Sequence, residues 1–206
     1  MNIDWRRIGE RVRAIITQPA PTWRAIATET ETPSSLYRNY IMVIAAIPAL
    51  FSFIKGSVLG FGSMFGLSIR IGIGAGLSSM LVSYLLSLLA IYLFALIVEA
   101  LSPQFAGQRD RMQALKTVAY ASTASCVAGA AVIIPGIGSL VYFAGVIYSF
   151  YLLYLGVQVL LGVPADKAAG FTAVCVVAGI VLGVLVTRFA AVFTGSVMPF
   201  GGYTFW

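Results

Sequence analysis

Five long apolar segments alternate with short polar connections along the chain. The segments cover residues 37–55, 75–100, 117–134, 138–161 and 170–193. A helix needs about 20 apolar residues to cross a hydrocarbon core roughly 30 Å thick, and each segment is close to that length. The pattern predicts an all-α fold, a polytopic membrane bundle of about five transmembrane helices.

Three regions follow from this pattern. We predict a cytoplasmic arm over residues 1–36, a five-span membrane domain over 37–193 and an extracytoplasmic tail over 194–206. The tail is rich in aromatic residues, which suit the headgroup region of a bilayer. The glycine-rich stretch 56–76 predicts a bent or interfacial approach to the second span.

The arm has the periodicity of an amphipathic helix. Its apolar residues fall on one side of a helical wheel and its charged residues occupy the remainder. Such a basic amphipathic helix is typical of a segment lying in the membrane surface. Docking onto a partner or onto the chain's own loops is the alternative, and disorder is a third. The apolar positions are Trp5, Ile8, Val12, Ile15 and Ile16.

Pro19 and Pro21 end this helix, because proline disfavours helical geometry at the residue before it. A second short helix is predicted to begin near Thr22 and to carry Trp23. Candidate contacts with the membrane surface or with a partner are Trp5, Ile8, Val12 and Trp23.

Composition supports a membrane protein. Of 206 residues, 60% are hydrophobic and 10% are charged, and the mean hydropathy is +0.95. Soluble domains are about 45–50% apolar and about 25% charged. The lipid bilayer is therefore the expected surroundings of the chain.

The basic residues predict the orientation. Ten lie in the arm, at the start of the first span (Arg38) and in the connections after the second and fourth spans, against three on the other side. The positive-inside rule then places the N-terminus in the cytoplasm and the C-terminus outside, in a bacterial inner membrane. The net charge of +6 needs no nucleic acid partner. The three residues on the other side are Lys55, Arg70 and Arg188.

The residues that usually perform catalysis are scarce. The chain contains no histidine, and Cys126 and Cys175 lie about fifty positions apart within apolar runs. Clustered metal ligands are missing from this pattern, and a Ser-His pair or a two-Asp site cannot be assembled. We expect no enzyme, no cofactor and no bound metal.

Glu99 is the only acidic residue within the apolar spans, and Tyr148 and Tyr151 share one helical face. An intramembrane carboxylate is by default a functional candidate. An ion pair with Arg109, Arg111 or Lys116 is the structural alternative. The tyrosines would line a polar crevice or, alternatively, hydrogen-bond to neighbouring helices.

Several prolines and glycines have predicted structural roles. Pro48 lies within the first span and favours a kink. Pro135 and Gly136 predict a tight reversal between the third and fourth spans. Gly179 and Gly183 have the spacing of small residues that let helices approach closely, within the monomer or between subunits.

Four groups of short motifs follow one another along the chain. They are Ile16-Thr-Gln-Pro19 with Thr22-Trp-Arg-Ala-Ile26, Arg109 to Tyr120 with Tyr120-Ala-Ser-Thr123, Ile134-Pro-Gly-Ile-Gly138, and Tyr151-Leu-Leu-Tyr-Leu-Gly-Val-Gln158 with Pro164-Ala-Asp-Lys-Ala168. Each motif is short, but their order and spacing cover nearly the whole chain. In these motifs the chain resembles the bacterial branch of the Yip family of five-span membrane proteins.

The resemblance implies five spans and a non-enzymatic membrane role. It does not extend to binding of Rab-type GTPases, which the eukaryotic founders were named for, because the arm here is only about 37 residues long. Family members often have a proline and an aromatic after the Tyr-x-x-Thr motif, whereas Ala124, Ser125 and Cys126 follow it here.

These observations favour a membrane scaffold or assembly factor that contacts other membrane proteins or copies of itself. The alternative is a small transporter, channel or lipid-translocating protein with a pathway near Glu99. A hydrated cavity reaching Glu99 would favour transport, and a dry, close-packed bundle would favour scaffolding.

Overall fold

The computed structural model describes residues 4–62 and 68–194. Two short helices precede five long ones, and two short strands form an antiparallel pair between the first two long helices. The helices are α1 (Trp5–Thr17), α2 (Pro19–Thr28), α3 (Pro33–Leu59), α4 (Ile73–Phe105), α5 (Arg111–Ile133), α6 (Gly138–Leu160) and α7 (Ala165–Thr194), and the strands are β1 (Phe61–Gly62) and β2 (Ser68–Ile69).

The five-span prediction is confirmed, because α3 to α7 are all long and apolar enough to cross a membrane. The helices extend beyond several predicted boundaries at capped ends. The Asp110 side chain accepts a hydrogen bond from the Gln113 backbone N–H, so α5 begins six residues earlier than its apolar run. Hydropathy does not detect these polar first turns.

The sequence predicted a bent or interfacial approach over the glycine-rich stretch. Within it, β1 and β2 pair antiparallel, and we call this pair the hairpin. The last turn of α3 is π-helical, and the Ile71 backbone N–H donates to the Gly56 carbonyl across the hairpin. The aromatic tail after Thr194 and the glycine at position 66 lie outside the described residues.

Helix α5 occupies the centre of the bundle, where it contacts α3, α4 and α6, while α7 packs against α4 and α6. It is the least apolar of the five spans and the most buried. Every residue from Ala114 to Ala121 is buried. Because its neighbours are protein helices and not lipid tails, this span can carry polar side chains.

The outer helices present apolar side chains to the lipid. On α4 a stripe at spacing four is exposed, and on α7 the large exposed apolar side chains are mostly valine, isoleucine or leucine. A hydrophobic surface of this kind is the expected result of solvation by hydrocarbon. The α4 stripe consists of Ile73, Leu77, Leu81, Leu85, Leu89 and Leu93.

Close helix crossings use some of the predicted residues. Pro48 lies inside α3 and packs on Gly129 of α5, where a Cβ atom would come within 2.8 Å of the proline ring. Gly136 has a φ of +80° in the reversal before α6, which confirms the predicted tight turn. Gly179 contacts Phe94, whereas Gly183 faces open space.

The helices α1 and α2 both pack onto one end of the bundle, and we call this pair the N-terminal layer. Trp23 of α2 is completely buried against Gly156 of α6. A Cβ atom on this glycine would lie 2.9 Å from the indole ring, so the absence of a side chain lets α2 approach α6.

We expect Gly156→Ala to lower the free energy of unfolding by about 1–3 kcal/mol, because overpacking displaces Trp23. Thermal unfolding of the purified protein in detergent measures the change. Gly183→Ala, in another membrane helix with nothing near the added methyl group, is the matched control and should change stability little. Equal stability of the two variants would contradict this packing.

Candidate functional site

The N-terminal layer is the most elaborate polar region of the described chain. Asp4 caps α1 by accepting a hydrogen bond from the Arg7 backbone N–H at 3.1 Å. Ile15 is completely buried, and Ile8, Val12 and Ile16 pack against the core. The apolar side of α1 therefore faces the chain's own bundle.

This arrangement changes the interpretation of the arm. The sequence offered docking onto a partner or onto the chain's own loops, whereas Ile8 and Val12 pack against the core of the helix bundle. Trp5 is 65% exposed, and its contact with a membrane or partner stays a prediction. The prediction that Trp23 contacts the membrane surface or a partner is wrong, because its side chain is buried. Its ring lies edge-on against the Tyr120 ring, with ring centroids 6.4 Å apart.

Lys116 of α5 holds the layer in place. Its side chain is only 2% exposed, and its ammonium group donates to the carbonyls of Ile26 at 3.2 Å and Glu29 at 2.5 Å. These carbonyls end α2, where a helix has unsatisfied acceptors and negative partial charge. Lys116 was predicted to lie in the connection after the second span, but it is buried within α5.

A second polar connection joins the two helices of the layer. The Arg11 guanidinium pairs with the Glu29 carboxylate and lies 5.8 Å from the centre of the Tyr120 ring. Tyr120 in turn packs against Tyr40 of α3, with centroids 4.6 Å apart. The Tyr40 hydroxyl shares a 2.7 Å hydrogen bond with the Thr123 hydroxyl, so the network reaches from α1 to α3 and α5.

A cavity of about 180 Å³ lies between α1, the connection that leads to α3, the first turns of α3 and the middle of α5. We call it the arm cavity. Its lining combines two arginines, two carboxylates and two tyrosines, together with an asparagine and two aliphatic residues. They are Asp4, Arg7, Ile8, Arg11, Glu31, Leu36, Asn39, Tyr40 and Tyr120.

Glu99 lies at the end of α4 nearest the N-terminal layer and forms ion pairs. Its carboxylate accepts a hydrogen bond from Arg111 at 3.0 Å and lies 3.6 Å from Arg109. The carboxylate is mostly buried, while both arginines are largely exposed. The ion-pair interpretation offered by the sequence is the one observed.

The hydrogen bond of Tyr148 on α6 is made to α1 and not to Glu99. The Tyr148 hydroxyl donates to the Ile16 carbonyl of α1 at 2.7 Å, and the neighbouring Tyr151 ring is about half exposed. Hydrogen bonding to a neighbouring helix, one of the two interpretations of these tyrosines, is therefore observed for Tyr148. Its partner, the last turn of α1, was not predicted.

A larger cavity of about 370 Å³ separates α3 from α4 near the hairpin end. Five serines contribute to its lining, and the buried Ser57 hydroxyl there has no hydrogen-bond partner among the described residues. Neither this cavity nor the arm cavity includes Glu99 in its lining. The ion pairs of Glu99 therefore lie outside both cavities.

Comparison with known protein families identifies the family of this chain. The Yip1 domain matches residues 13–186, which is most of the chain. The chain belongs to the Yip1 family. This Yip1 domain begins within α1 and ends within α7, so it includes Lys116, Trp23 and the whole of α2. No solved structure matches the chain.

Two curated relatives are also similar to most of the chain. Inner membrane protein YohC of Escherichia coli K12 is 22% identical over 173 residues, which cover 83% of this chain and 89% of that protein. YohC of E. coli O6:H1 matches with the same identity and coverage. The Yip1 chain described here is thus similar over nearly its full length to an inner membrane protein.

We expect Lys116→Met to loosen α2, because the two carbonyls at its end lose their donor, a change of about 1–3 kcal/mol. Limited trypsin digestion in detergent micelles should then cleave faster after Arg24, which lies within α2. Lys167→Met, at an exposed position, is the matched control. An unchanged cleavage rate at Arg24 in Lys116→Met would refute the role assigned to this lysine.

Proposed function

We propose that this Yip1-family protein is a non-enzymatic scaffold or organising factor of a bacterial inner membrane. The observation that carries the proposal is the N-terminal layer. Its helices are fixed on the bundle through Lys116, Trp23 and Ile15, so they hold a polar surface in a constant position at one end of the protein. A fixed surface is what the recruitment of partners requires.

The surface available to a partner is the outer face of α1. Its exposed positions lie opposite the buried Ile15 on the helical wheel and carry a net positive charge. We define this α1 outer face as Arg6, Glu10, Arg13 and Thr17.

The same observations support scaffolding over the transport alternative. The Glu99 carboxylate is paired with arginines and lines neither cavity described above. The central helix α5 is closely packed over its first half. Close packing is the feature expected of a scaffold, whereas a cavity that reaches Glu99 is the feature expected of a transporter.

Partner recovery tests the proposal. The full chain is purified in a mild detergent beside Arg6→Glu/Arg13→Glu, which reverses two charges on the α1 outer face, and bound membrane proteins, including a differently tagged second copy, are identified. We expect a specific partner with the natural sequence and at least a fivefold loss with the variant, because reversed charge repels an acidic partner surface.

Arg70→Glu/Arg188→Glu is the matched control, because it reverses two exposed charges at the other end of the bundle. It should recover the partner as well as the natural sequence does. Recovery of no specific partner with the natural sequence, or equal recovery with both variants, would count against a scaffold acting through α1.

We further propose that the N-terminal layer lies on the cytoplasmic side. The connection after α4 meets the one after α6, where the Gln108 backbone N–H donates to the Leu161 carbonyl at 2.7 Å. Both connections adjoin the same end of the bundle as α1 and α2, so most basic residues gather there. The positive-inside rule supports a cytoplasmic position for that end.

Cysteine labelling measures this orientation. Arg13→Cys and Arg70→Cys are prepared without the two native cysteines and treated in spheroplasts with a maleimide that does not cross membranes. We expect labelling of Arg70→Cys in intact spheroplasts and of Arg13→Cys only after permeabilisation. The reverse pattern would invert the proposed topology.

A further inference from the structure

One residue that lines the arm cavity has a carboxylate oxygen for which the described residues supply no hydrogen bond. Glu31 lines the cavity, and its Oε2 atom is buried without a hydrogen-bond partner among the described residues. None of the ion pairs within the described residues includes Glu31. Buried carboxylate oxygens nearly always have a donor, so this atom indicates a ligand that brings hydrogen-bond donors and positive charge.

The opposite charge is available beside it. Arg7 and Arg11 are one turn apart on the same flank of α1, and both line the cavity. Arg11 pairs with Glu29, whereas Arg7 makes no ion pair with any described residue. A guanidinium group that is not neutralised binds phosphate well.

The lining carries charges of both signs, since it includes Arg7 and Arg11 together with Asp4 and Glu31. A simple anion would meet two carboxylates there, and a simple cation would meet two guanidinium groups. A ligand that carries a phosphate and an ammonium group matches both. The rings of Tyr40 and Tyr120 also line the cavity and suit an ammonium group.

The position of the cavity indicates the source of such a ligand. Leu36 and Asn39 belong to the first turns of α3, where this span enters the membrane, and Ile8 adds an apolar wall. The cavity therefore lies at headgroup level beside the hydrocarbon. We propose that it binds the headgroup of a phospholipid with a primary amine, such as phosphatidylethanolamine, from the leaflet on the side of the N-terminal layer.

In this complex Glu31 accepts hydrogen bonds from the ammonium group, and Arg7 binds the phosphate. A primary ammonium has three N–H donors, whereas the quaternary ammonium of phosphatidylcholine has none. Headgroup discrimination therefore depends on Glu31, and the shared phosphate contact depends on Arg7.

Lipid retention by the full chain in detergent, followed by native mass spectrometry, tests the proposal. Phosphatidylethanolamine, phosphatidylcholine and phosphatidylglycerol with identical acyl chains are compared. We expect phosphatidylethanolamine to bind about tenfold more tightly than the other two, as a charged hydrogen bond allows. Equal retention of the three lipids would overturn the proposal.

Two variants assign the contacts. Glu31→Gln should abolish the preference for phosphatidylethanolamine over phosphatidylcholine, and Arg7→Gln should weaken both lipids alike. Asp166→Asn and Lys167→Gln, exposed positions in the first turn of α7 outside the cavity, are the matched controls and should retain the lipids as the natural sequence does. An undiminished preference in Glu31→Gln contradicts the proposal, and so does unchanged lipid binding in Arg7→Gln.

Arg7 is exposed on the helix surface, so its variant remains informative even if Glu31→Gln fails to fold. Competition identifies the source of the headgroup. Displacement of the lipid by a large excess of phosphoethanolamine, and not by phosphocholine, supports headgroup recognition. Tighter binding of free phosphoethanolamine than of the lipid would exclude a lipid as the ligand.

Discussion

A bilayer interior offers no hydrogen-bond partners, so every polar group at membrane depth must find one within the protein. The position of α5 follows from this constraint. Thr117, Tyr120 and Thr123 sit on the central helix, where neighbouring helices surround them. The strongly apolar helices α4 and α7 take lipid-facing positions. The N-terminal layer covers the polar first half of α5 and supplies carbonyl partners for Lys116.

The sequence predicted the fold well because hydropathy reports directly on contact with lipid. Spans that face hydrocarbon, such as α4 and α7, were located closely. The start of α5 was missed because its first turn is polar and because Lys116 resembles a loop cation. Burial against α2 is a tertiary property, and neither composition nor periodicity indicates which other helix will supply the acceptors.

The candidate site was predicted less completely. The periodicity of Ile8, Val12 and Ile15 indicates an apolar surface beside α1 but does not distinguish lipid from protein. The ion pairs of Glu99 were easier to predict, because Arg109 and Arg111 are close to it in sequence. The arm cavity could not be predicted, because it forms where α1 meets residues of α3 and α5. Glu31 carried no signal until the fold placed it beside Arg7.

The tight fit of Trp23 against Gly156 affects the order in which the protein is assembled. The ribosome synthesises α2 long before α6, so this tryptophan leaves the exit tunnel before its binding position exists. The N-terminal segment must wait, with its apolar side uncovered, until four spans have been inserted. The N-terminal layer can therefore close over the bundle only late, after the helix that receives Trp23 has been made.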